Sequence, residues 1–242
     1  MNIYELSTPV VQRKNILVRK TRYSVTHAVE SLECSVLSRT PIWKRGMDIV
    51  IATLMLICLA PLFILVYIGV KVASPGPVFF MQKRVGYLGK SFNMYKFRTM
   101  KIDATESAHK RQICAEIKNN LTFRKIENDS RIFPLGKLLR QTCLDELPQL
   151  FNILKGDMSL VGPRPELPYA VNEFKCWHCA RLNVLPGLTG LWQINGKNST
   201  TFEQMVRYDI NYTRSRSFLL DIKIILLTIP AIIKQMNQGV NK

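Results

Sequence analysis

One segment of the 242-residue chain stands apart from an otherwise mixed pattern of apolar and polar residues. From Ile49 to Val70, 22 consecutive residues carry no charge, and Asp48 and Lys71 close this run on its two sides. At about 1.5 Å per residue, a helix of this length can cross the ~30 Å hydrocarbon core of a bilayer. Pro61 lies inside the run. Because its ring removes a backbone donor and collides with the preceding turn, a kink or break is predicted there.

The Lys and Arg residues on either side of the run predict how it lies in a membrane. Eight of them fall within residues 1–45, and the other 26 follow the run. Because Lys and Arg favour the cytoplasmic side, both ends are drawn to the same face. The pattern therefore favours a re-entrant helix over residues 44–72, broken at Pro61. A single span with a proline kink is the alternative, because membrane helices tolerate such kinks, and the length counts against a buried helix of a soluble domain.

A second apolar stretch, from Phe218 to Ile233, is interrupted by Asp221, Lys223 and Pro230 and is therefore a poor span. It fits an amphipathic helix in the membrane interface or, equally well, a core helix.

The rest of the pattern predicts an α+β fold that is mainly helical with one small β-hairpin. Two short strands rich in aromatic residues are separated by glycines, which is typical of a hairpin. Gly and Pro clusters mark the expected loops. The predicted strands are 78–82 and 92–97; helices are expected over 101–128, 135–155 and 200–236, and loops over 156–168 and 186–196.

Composition narrows the class of protein. Apolar residues make up 47% of the chain, which excludes wholesale disorder. The net charge of +17 predicts an anionic partner, either nucleic acid, lipid headgroups or a phosphorylated substrate. The six cysteines lack the dense spacing of a disulfide scaffold. Cys176 and Cys179 form one isolated pair, whereas structural zinc needs four ligands. No apolar segment near the start resembles a signal peptide.

Two adjacent acids, Asp145 and Glu146, are the main candidates for chemistry, and they allow two interpretations. In the first, Thr142 caps a helix and Asp145 completes a capping box, so the acids only complement the helix dipole. In the second, a carboxylate at a helix N-terminus keeps a low pKa and stays ionised. Such a carboxylate can attack phosphorus, while its neighbour holds Mg²⁺.

Several cations placed on turns and strand ends favour the second interpretation. Arg164 lies in a stiff Gly-Pro-Arg-Pro turn, Lys96 and Arg98 end a predicted strand, and Arg140 precedes the acids by five residues. Arginine suits bidentate contacts with phosphate. Each cation taken singly would be a solvated surface charge, but together they predict a phosphate-binding site.

Taken in order, these blocks resemble the bacterial sugar transferases, specifically the monotopic polyprenyl-phosphate phosphoglycosyl transferases of the small, catalytic-unit type. The resemblance runs from about residue 44 to about residue 235. The motifs that carry it are Lys44-Arg45-x-x-Asp48, Ser74-Pro75-Gly76-Pro77-Val78-Phe79-Phe80, Tyr95-Lys96-Phe97-Arg98-Thr99-Met100, Asn128-Asp129-x-Arg131, Leu144-Asp145-Glu146-Leu147-Pro148-Gln149-Leu150, Lys155-Gly156-Asp157 through Gly162-Pro163-Arg164-Pro165-Glu166, and Pro186-Gly187-Leu188-Thr189-Gly190-Leu191-Trp192-Gln193.

The resemblance implies a two-step reaction on the cytoplasmic face of the bacterial inner membrane. Asp145 would attack the β-phosphorus of a UDP-sugar and release UMP, and polyprenyl phosphate, usually undecaprenyl phosphate, would then take the phosphosugar. Glu146 would assist through Mg²⁺ or proton transfer, and Asp145 and Glu146 together would bind the metal. The residues expected to bind substrate phosphates are Lys96, Arg98, Arg140, Asp157 and Arg164. The sequence does not select the sugar.

Two departures from the family pattern are visible: Ala60 precedes the helix-breaking proline, and Cys143 precedes the acid block, both where Ser is frequent.

The expected organisation is a basic arm over 1–43, the membrane helix over 44–72, a catalytic domain over 73–236 and a tail over 237–242. Two other classes of protein are alternatives. A nucleic-acid-binding protein is disfavoured because no recognisable module is present, and a non-enzymatic basic membrane scaffold would leave the acid pair idle.

Overall fold

The computed structural model describes residues 40–101, 107–122, 129–196 and 200–240, so most of the predicted basic arm lies outside the described residues. The described part is mainly helical with two two-stranded sheets, which confirms the predicted fold class and its hairpin. The helices are α1 (Ile42–Cys58), α2 (Ala60–Ala73), α3 (Ser107–Lys118), α4 (Pro134–Gln141), α5 (Gln149–Lys155), α6 (Pro168–Val171), α7 (Leu191–Asn195), α8 (Phe202–Ser215) and α9 (Phe218–Val240). The strands are β1 (Phe79–Val85), β2 (Ser91–Phe97), β3 (Ser159–Val161) and β4 (Gly187–Thr189), and 3-10 turns cover Tyr87–Gly89, Leu144–Glu146 and Cys176–Asn183.

The apolar run forms two helices that meet at a sharp bend. α1 and α2 are inclined by 63°, and Leu59 alone separates them. Pro61 is the second residue of α2, a position where its missing N–H leaves no helical bond unmade. The break predicted at Pro61 therefore falls two residues earlier in the chain. Among the described residues, only this bent pair is long and apolar enough to be considered for a membrane, and no single helix is.

A buried lysine ties α1 to the domain that follows. Lys44 is 1% exposed, and its Nζ donates to Asp221 Oδ2 at 2.6 Å. The same ammonium donates to Tyr212 Oη and to the Val161 carbonyl, both at 3.0 Å. These partners belong to α9, α8 and β3, so one cation fastens the start of α1 to three separate elements.

Two further side chains of α1 contact α5 and β3, the elements on either side of the short loop that contains Asp157. Arg45 Nη1 donates to the Ile153 carbonyl at 2.6 Å and so caps the C-terminal end of α5. Asp48 Oδ1 accepts from Ser159 Oγ at 3.0 Å and from the Leu160 amide at 2.9 Å. Through these contacts α1 fixes the position of both α5 and β3.

The hairpin lies against the bent helix pair. β1 and β2 pair antiparallel from Phe79 opposite Phe97 to Val85 opposite Ser91. The rings of Phe79 and Phe97 stack with centroids 5.4 Å apart, and those of Phe63 and Phe97 lie 5.5 Å apart. Aromatic packing therefore joins α2 to the strand that ends beside Lys96.

The prediction of loops over 156–168 and 186–196 is wrong in part. β3 and β4 pair parallel within these stretches, with Ser159 opposite Gly187 and Val161 opposite Thr189. Glycine makes this approach possible, because a Cβ on Gly187 would lie 2.1 Å from the Gly162 nitrogen. Strands of three residues are too short to give a periodic sequence signal.

The helix predicted over 200–236 is divided at residues 216–217 into α8 and α9, and α9 continues through the predicted tail as far as Val240. One side of α9 buries Asp221 and Ile224, while Leu219, Leu226 and Ile229 on the other side are exposed. The helix is thus amphipathic, and it packs on the domain through one face. Of the helix predicted over 101–128, the structure describes α3, and residues 102–106 and 123–128 lie outside the described residues.

Candidate active site

The acid pair lies in a tight turn between two helices. The helix predicted over 135–155 is therefore wrong in its middle, while α4 and α5 form its two ends. α4 ends at Gln141, and Thr142 Oγ1 donates back to the Leu138 carbonyl at 2.9 Å. Cys143 has a φ of 59°, a left-handed conformation that a residue with a side chain adopts only at a cost. The chain then makes the 3-10 turn that contains Asp145 and Glu146.

This geometry excludes the capping box. Thr142 lies at the C-terminal end of α4, and its side chain bonds to that helix rather than to the next one. The left-handed residue at Cys143 is the reason, because it reverses the chain before any helix could begin at Thr142. The two acids therefore do not merely complement the dipole of a helix that starts there.

Burial governs the ionisation of Asp145. Its side chain is buried, and burial raises the pKa of the carboxyl above its usual value, with the charge of Lys96 as the largest opposing influence. The charge of Glu146 raises this pKa further. The expectation of a low pKa from a helix N-terminus is thus wrong. Within the described part of the chain, no hydrogen bond is made to the Asp145 carboxylate.

Glu146, in contrast, is held by two cations. Its Oε1 accepts from Lys96 Nζ at 2.8 Å and from Arg164 Nη2 at 2.9 Å. The carboxylate of Glu146 is the main cause that raises the pKa of Arg164. Burial lowers the pKa of Lys96, and the charge of Glu146 opposes this effect. The structure therefore brings Lys96 and Arg164 together with the acid pair.

The other candidate residues have different surroundings. Arg98 is buried, and its Nη1 and Nη2 donate to the carbonyls of Pro75 at 2.8 Å and Ser74 at 2.6 Å. Arg140 is exposed at the end of α4, close enough for its charge to lower the pKa of Asp145. The contacts of Arg98 support a structural role for its guanidinium. Phosphate binding by Arg98 and Arg140 stays a prediction.

Asn152, which sequence reasoning did not select, holds the hairpin against α5. Its Oδ1 accepts from the Tyr95 amide at 3.0 Å, and its Nδ2 donates to the Asn93 carbonyl at 2.7 Å. The same Nδ2 lies 3.2 Å from Asp157 Oδ2, so Asp157 takes part in this support and its predicted binding role is untested. Lys96 follows Tyr95 and thus reaches the acid pair. The feature of the sequence that could have pointed to Asn152 is its amide side chain among the apolar residues of α5.

The turn that carries Arg164 is fixed on its backbone. The Gly162 amide donates to the Thr189 carbonyl at 2.9 Å, and the Gly187 amide donates to the Pro163 carbonyl at 2.8 Å. Arg84, also missed by sequence reasoning, donates from Nη1 to the Pro165 carbonyl at 3.1 Å. Burial, followed by the charge of Arg164, lowers the pKa of Arg84 to about 10.

The residues present fit a Mg²⁺ that arrives with its substrate. Across the described ranges, no group of three or more His, Cys, Asp and Glu side chains could hold a metal. Mg²⁺, however, commonly binds through one or two carboxylates together with substrate phosphates and water. Asp145, whose carboxylate makes no hydrogen bond within the described ranges, and its neighbour Glu146 would supply that donor set. Magnesium dependence stays a prediction.

A buried carboxylate next to a second one that is paired with cations defines a site suited to the handling of phosphate esters. Residues 39–235 match the family model described as "Bacterial sugar transferase", and the chain belongs to that family. The family predicted from the ordered motifs is therefore confirmed.

Curated relatives differ in how much of their length the chain covers. The chain is 40% identical to the exopolysaccharide production protein ExoY of Sinorhizobium fredii, over 78% of this chain and 84% of that protein. It is 39% identical to the galactosyl transferase CpsE of Streptococcus agalactiae, over 96% of this chain and 51% of the relative. It is 38% identical to the UDP-glucose:undecaprenyl-phosphate glucose-1-phosphate transferase of Escherichia coli, over 77% of this chain and 39% of that enzyme.

Proposed function

We propose that this enzyme transfers a sugar-1-phosphate from a UDP-sugar to polyprenyl phosphate, with undecaprenyl phosphate as the acceptor, and releases UMP. Membership of the sugar transferase family and the names of the relatives support a phosphosugar transferase. The observation that carries the mechanism is the contrast within the acid pair: Glu146 is engaged by two cations, while the buried Asp145 carboxylate accepts no hydrogen bond from the described residues.

In the first step, an Asp145 carboxylate oxygen attacks the β-phosphorus of the UDP-sugar. The bond from this phosphorus to the bridging oxygen breaks, UMP leaves with that oxygen, and the phosphosugar is held as an acyl-phosphate. A buried carboxylate is poorly solvated and is therefore a better nucleophile once ionised. The neighbouring charges of Lys96 and Arg164 favour its ionised form.

In the second step, a phosphate oxygen of the lipid attacks the same phosphorus. The bond between this phosphorus and the Asp145 oxygen breaks, so the carboxylate is regenerated and a polyprenyl-diphosphate sugar forms. Lys96 and Arg164 stabilise the negative charge that develops on the phosphoryl oxygens in both steps. Mg²⁺ held by Asp145 and Glu146 would neutralise part of the diphosphate charge when bound.

The apolar surface supports a reaction at a membrane. Exposed apolar side chains cover the bent pair of α1 and α2 and one face of α9; examples are Ile57, Leu65, Ile68, Leu219 and Leu226. Monomeric soluble proteins rarely expose large apolar patches, and such patches mark contacts with membranes or with other proteins. We place the protein on the cytoplasmic face of the bacterial inner membrane, where the water-soluble donor and the lipid acceptor can reach one site in turn. The first membrane-bound step of exopolysaccharide, O-antigen, capsule or glycoprotein glycan assembly fits this chemistry.

The decisive experiment compares Asp145→Asn with a matched charge removal, Glu173→Gln. Membrane-extracted protein is incubated with Mg²⁺ and a panel of UDP-sugars, UMP release is measured with and without undecaprenyl phosphate, and the covalent adduct is mapped by mass spectrometry. We expect a phosphosugar on Asp145 in the unchanged protein and in Glu173→Gln, and none in Asp145→Asn. An adduct on another residue, or normal turnover by Asp145→Asn, overturns the assignment of Asp145 as the nucleophile. If the unchanged protein releases no UMP from any UDP-sugar, the non-enzymatic scaffold is favoured.

A further inference from the structure

A buried arginine outside the acid pair holds the turn that presents Arg164. Arg181 lies in the 3-10 turn Cys176–Asn183 and is 1% exposed. Its Nη2 donates to the main-chain carbonyl of Arg164 at 3.0 Å. The same guanidinium bonds through Nη1 to Glu166 Oε1 at 2.8 Å. Arg181 therefore forms hydrogen bonds with both the backbone and the last side chain of the turn formed by residues 162–166.

The orientation of Arg181 is itself fixed from a third element. Asp209 of α8 pairs with Arg181 Nη2 at 2.6 Å, and both side chains are almost fully buried. One guanidinium thus faces two carboxylates away from solvent. Burying three charges is expensive, and an apolar cluster of the same volume could be at least as stable. The two carboxylates, unlike an apolar cluster, give the N–H donors of the Arg181 guanidinium a fixed direction.

We infer that Arg181 is a positioning residue for the phosphosugar transfer, acting through Arg164 on Glu146. The contacts form an unbroken sequence: Asp209 orients Arg181, Arg181 holds the Arg164 carbonyl, and the Arg164 guanidinium meets Glu146 Oε1 at 2.9 Å. A small displacement of the turn would move the Arg164 guanidinium relative to the reacting phosphate. The inference rests on the proposed function.

The competing explanation is that Arg181 only stabilises the fold. A double-mutant cycle separates the two explanations, because residues that act through one another show non-additive effects. The chains compared are the unchanged protein, Arg181→Met, Arg164→Ala and the double variant, and the rate is expressed per folded molecule. A misplacement of about 1 Å can cost about 100-fold in rate, so we expect a loss of roughly 10- to 100-fold in kcat for Arg181→Met. We expect Arg181→Lys, which keeps the charge and one donor, to recover part of that loss.

In the double-mutant cycle, adding Arg181→Met to Arg164→Ala should lower the rate by less than a factor of about 2–3. Deviations from additivity of this size occur even between independent residues. The matched control is Val206→Ala, which disturbs the buried face of the same helix as Asp209 and makes no polar contact with the turn. Its effect should be small per folded molecule and should multiply with that of Arg164→Ala. If the losses from Arg181→Met and Arg164→Ala multiply in the same way, the inference is overturned.

Hydrogen exchange supplies a measurement that does not depend on activity. Pro163 and Pro165 have no amide hydrogen, so the turn reports through the amides of Gly162, Arg164 and Glu166. We expect these amides to exchange faster in Arg181→Met and at the unchanged rate in Val206→Ala. Unchanged exchange in Arg181→Met overturns the inference. If the unchanged protein releases no UMP from any UDP-sugar, the proposed function fails. Faster exchange in Arg181→Met then still shows that Arg181 fixes the turn, independently of that function.

Discussion

The ammonium of Lys96 lies 2.8 Å from the carboxylate of Glu146, and this pairing gives the two adjacent acids different properties. Glu146 is neutralised locally and held in place. Asp145 is buried, and the same ammonium favours its ionised form without bonding to it. The pair thus combines an acid that two cations hold in place with a buried acid that is the proposed nucleophile, and each of these roles can be tested separately.

Replacing Glu146 with Gln should slow both chemical steps while leaving the nucleophile in place. The change removes one predicted Mg²⁺ ligand and the partner that orients Lys96 and Arg164, so we expect kcat to fall by about 100-fold or more, a typical effect of losing one electrostatic contributor. The adduct on Asp145 should still form, slowly, in a single-turnover experiment followed by mass spectrometry. Complete absence of the adduct in a folded Glu146→Gln protein would mean that Glu146 is itself the nucleophile or is required for it.

The rate should depend on pH through Asp145. Burial raises the pKa of its carboxyl, so the ionised nucleophile is lost as pH falls, at a higher pH than for an ordinary aspartate. Lys96 is the largest influence that lowers this pKa, and Lys96→Met should therefore move the acid limb of kcat against pH to higher pH. The control is Lys118→Met, whose ammonium is exposed and pairs with Glu173. A limb that stays in place in Lys96→Met would contradict the assignment of Asp145.

The elements that depend on local sequence patterns could be predicted from the sequence. The hairpin, the broken apolar helix and the acid pair each have a signal within a few residues. The turn at Asp145 was missed because its cause is the left-handed backbone at Cys143, and no sequence rule assigns that conformation to cysteine. The small parallel sheet depends on Gly162 and Gly187, which meet across 25 residues of chain. Supporting contacts such as Arg181 with Asp209 are set by tertiary packing and cannot be read from spacing.

Arg98 should prove structural rather than substrate-binding. Its guanidinium donates two hydrogen bonds to main-chain carbonyls of the turn that follows α2. Replacing it with Met leaves the carbonyl of the buried Ser74 unpaired, at a cost of about 1–3 kcal/mol, whereas Pro75 is exposed and its carbonyl can bond to water. We expect a lower unfolding temperature in detergent and an unchanged KM for the UDP-sugar in the folded fraction. A raised KM with unchanged stability would instead favour the phosphate contact predicted from the sequence.

The buried carboxyl of Asp209 should make stability depend on pH. Burial is the main cause that raises its pKa to about 6, and Arg181 opposes the effect. Since the folded chain holds this proton more tightly than the unfolded chain, the contribution of Asp209 to the free energy of unfolding falls as pH rises from about 4 to about 6 and is constant above that. At roughly 1.4 kcal/mol per pKa unit, the decrease is of the order of 3 kcal/mol.

Comparison with Asp209→Asn isolates this effect, because other titrating groups cancel in the difference. The free energy of unfolding is measured with urea at pH 4, 5, 6 and 7 for both proteins. The advantage of the unchanged protein over the variant should shrink between pH 4 and 6 and then stay level. An advantage that grows with pH would show that Asp209 is ionised more easily in the folded chain than in the unfolded one.

The two ends of the bent helix pair should lie on the same side of the membrane. Ile42 and Val72 are highly exposed and stand at the start of α1 and near the end of α2. Cysteine is introduced at either site, in a chain whose six native cysteines are replaced by alanine and which still releases UMP. In intact cells a membrane-impermeant maleimide should label neither site, and after permeabilisation it should label both, because positive charges on the two flanks favour the cytoplasmic side for both ends. Labelling of one site from outside would establish a single kinked span, and tags at residues 1 and 242 should then also report opposite sides.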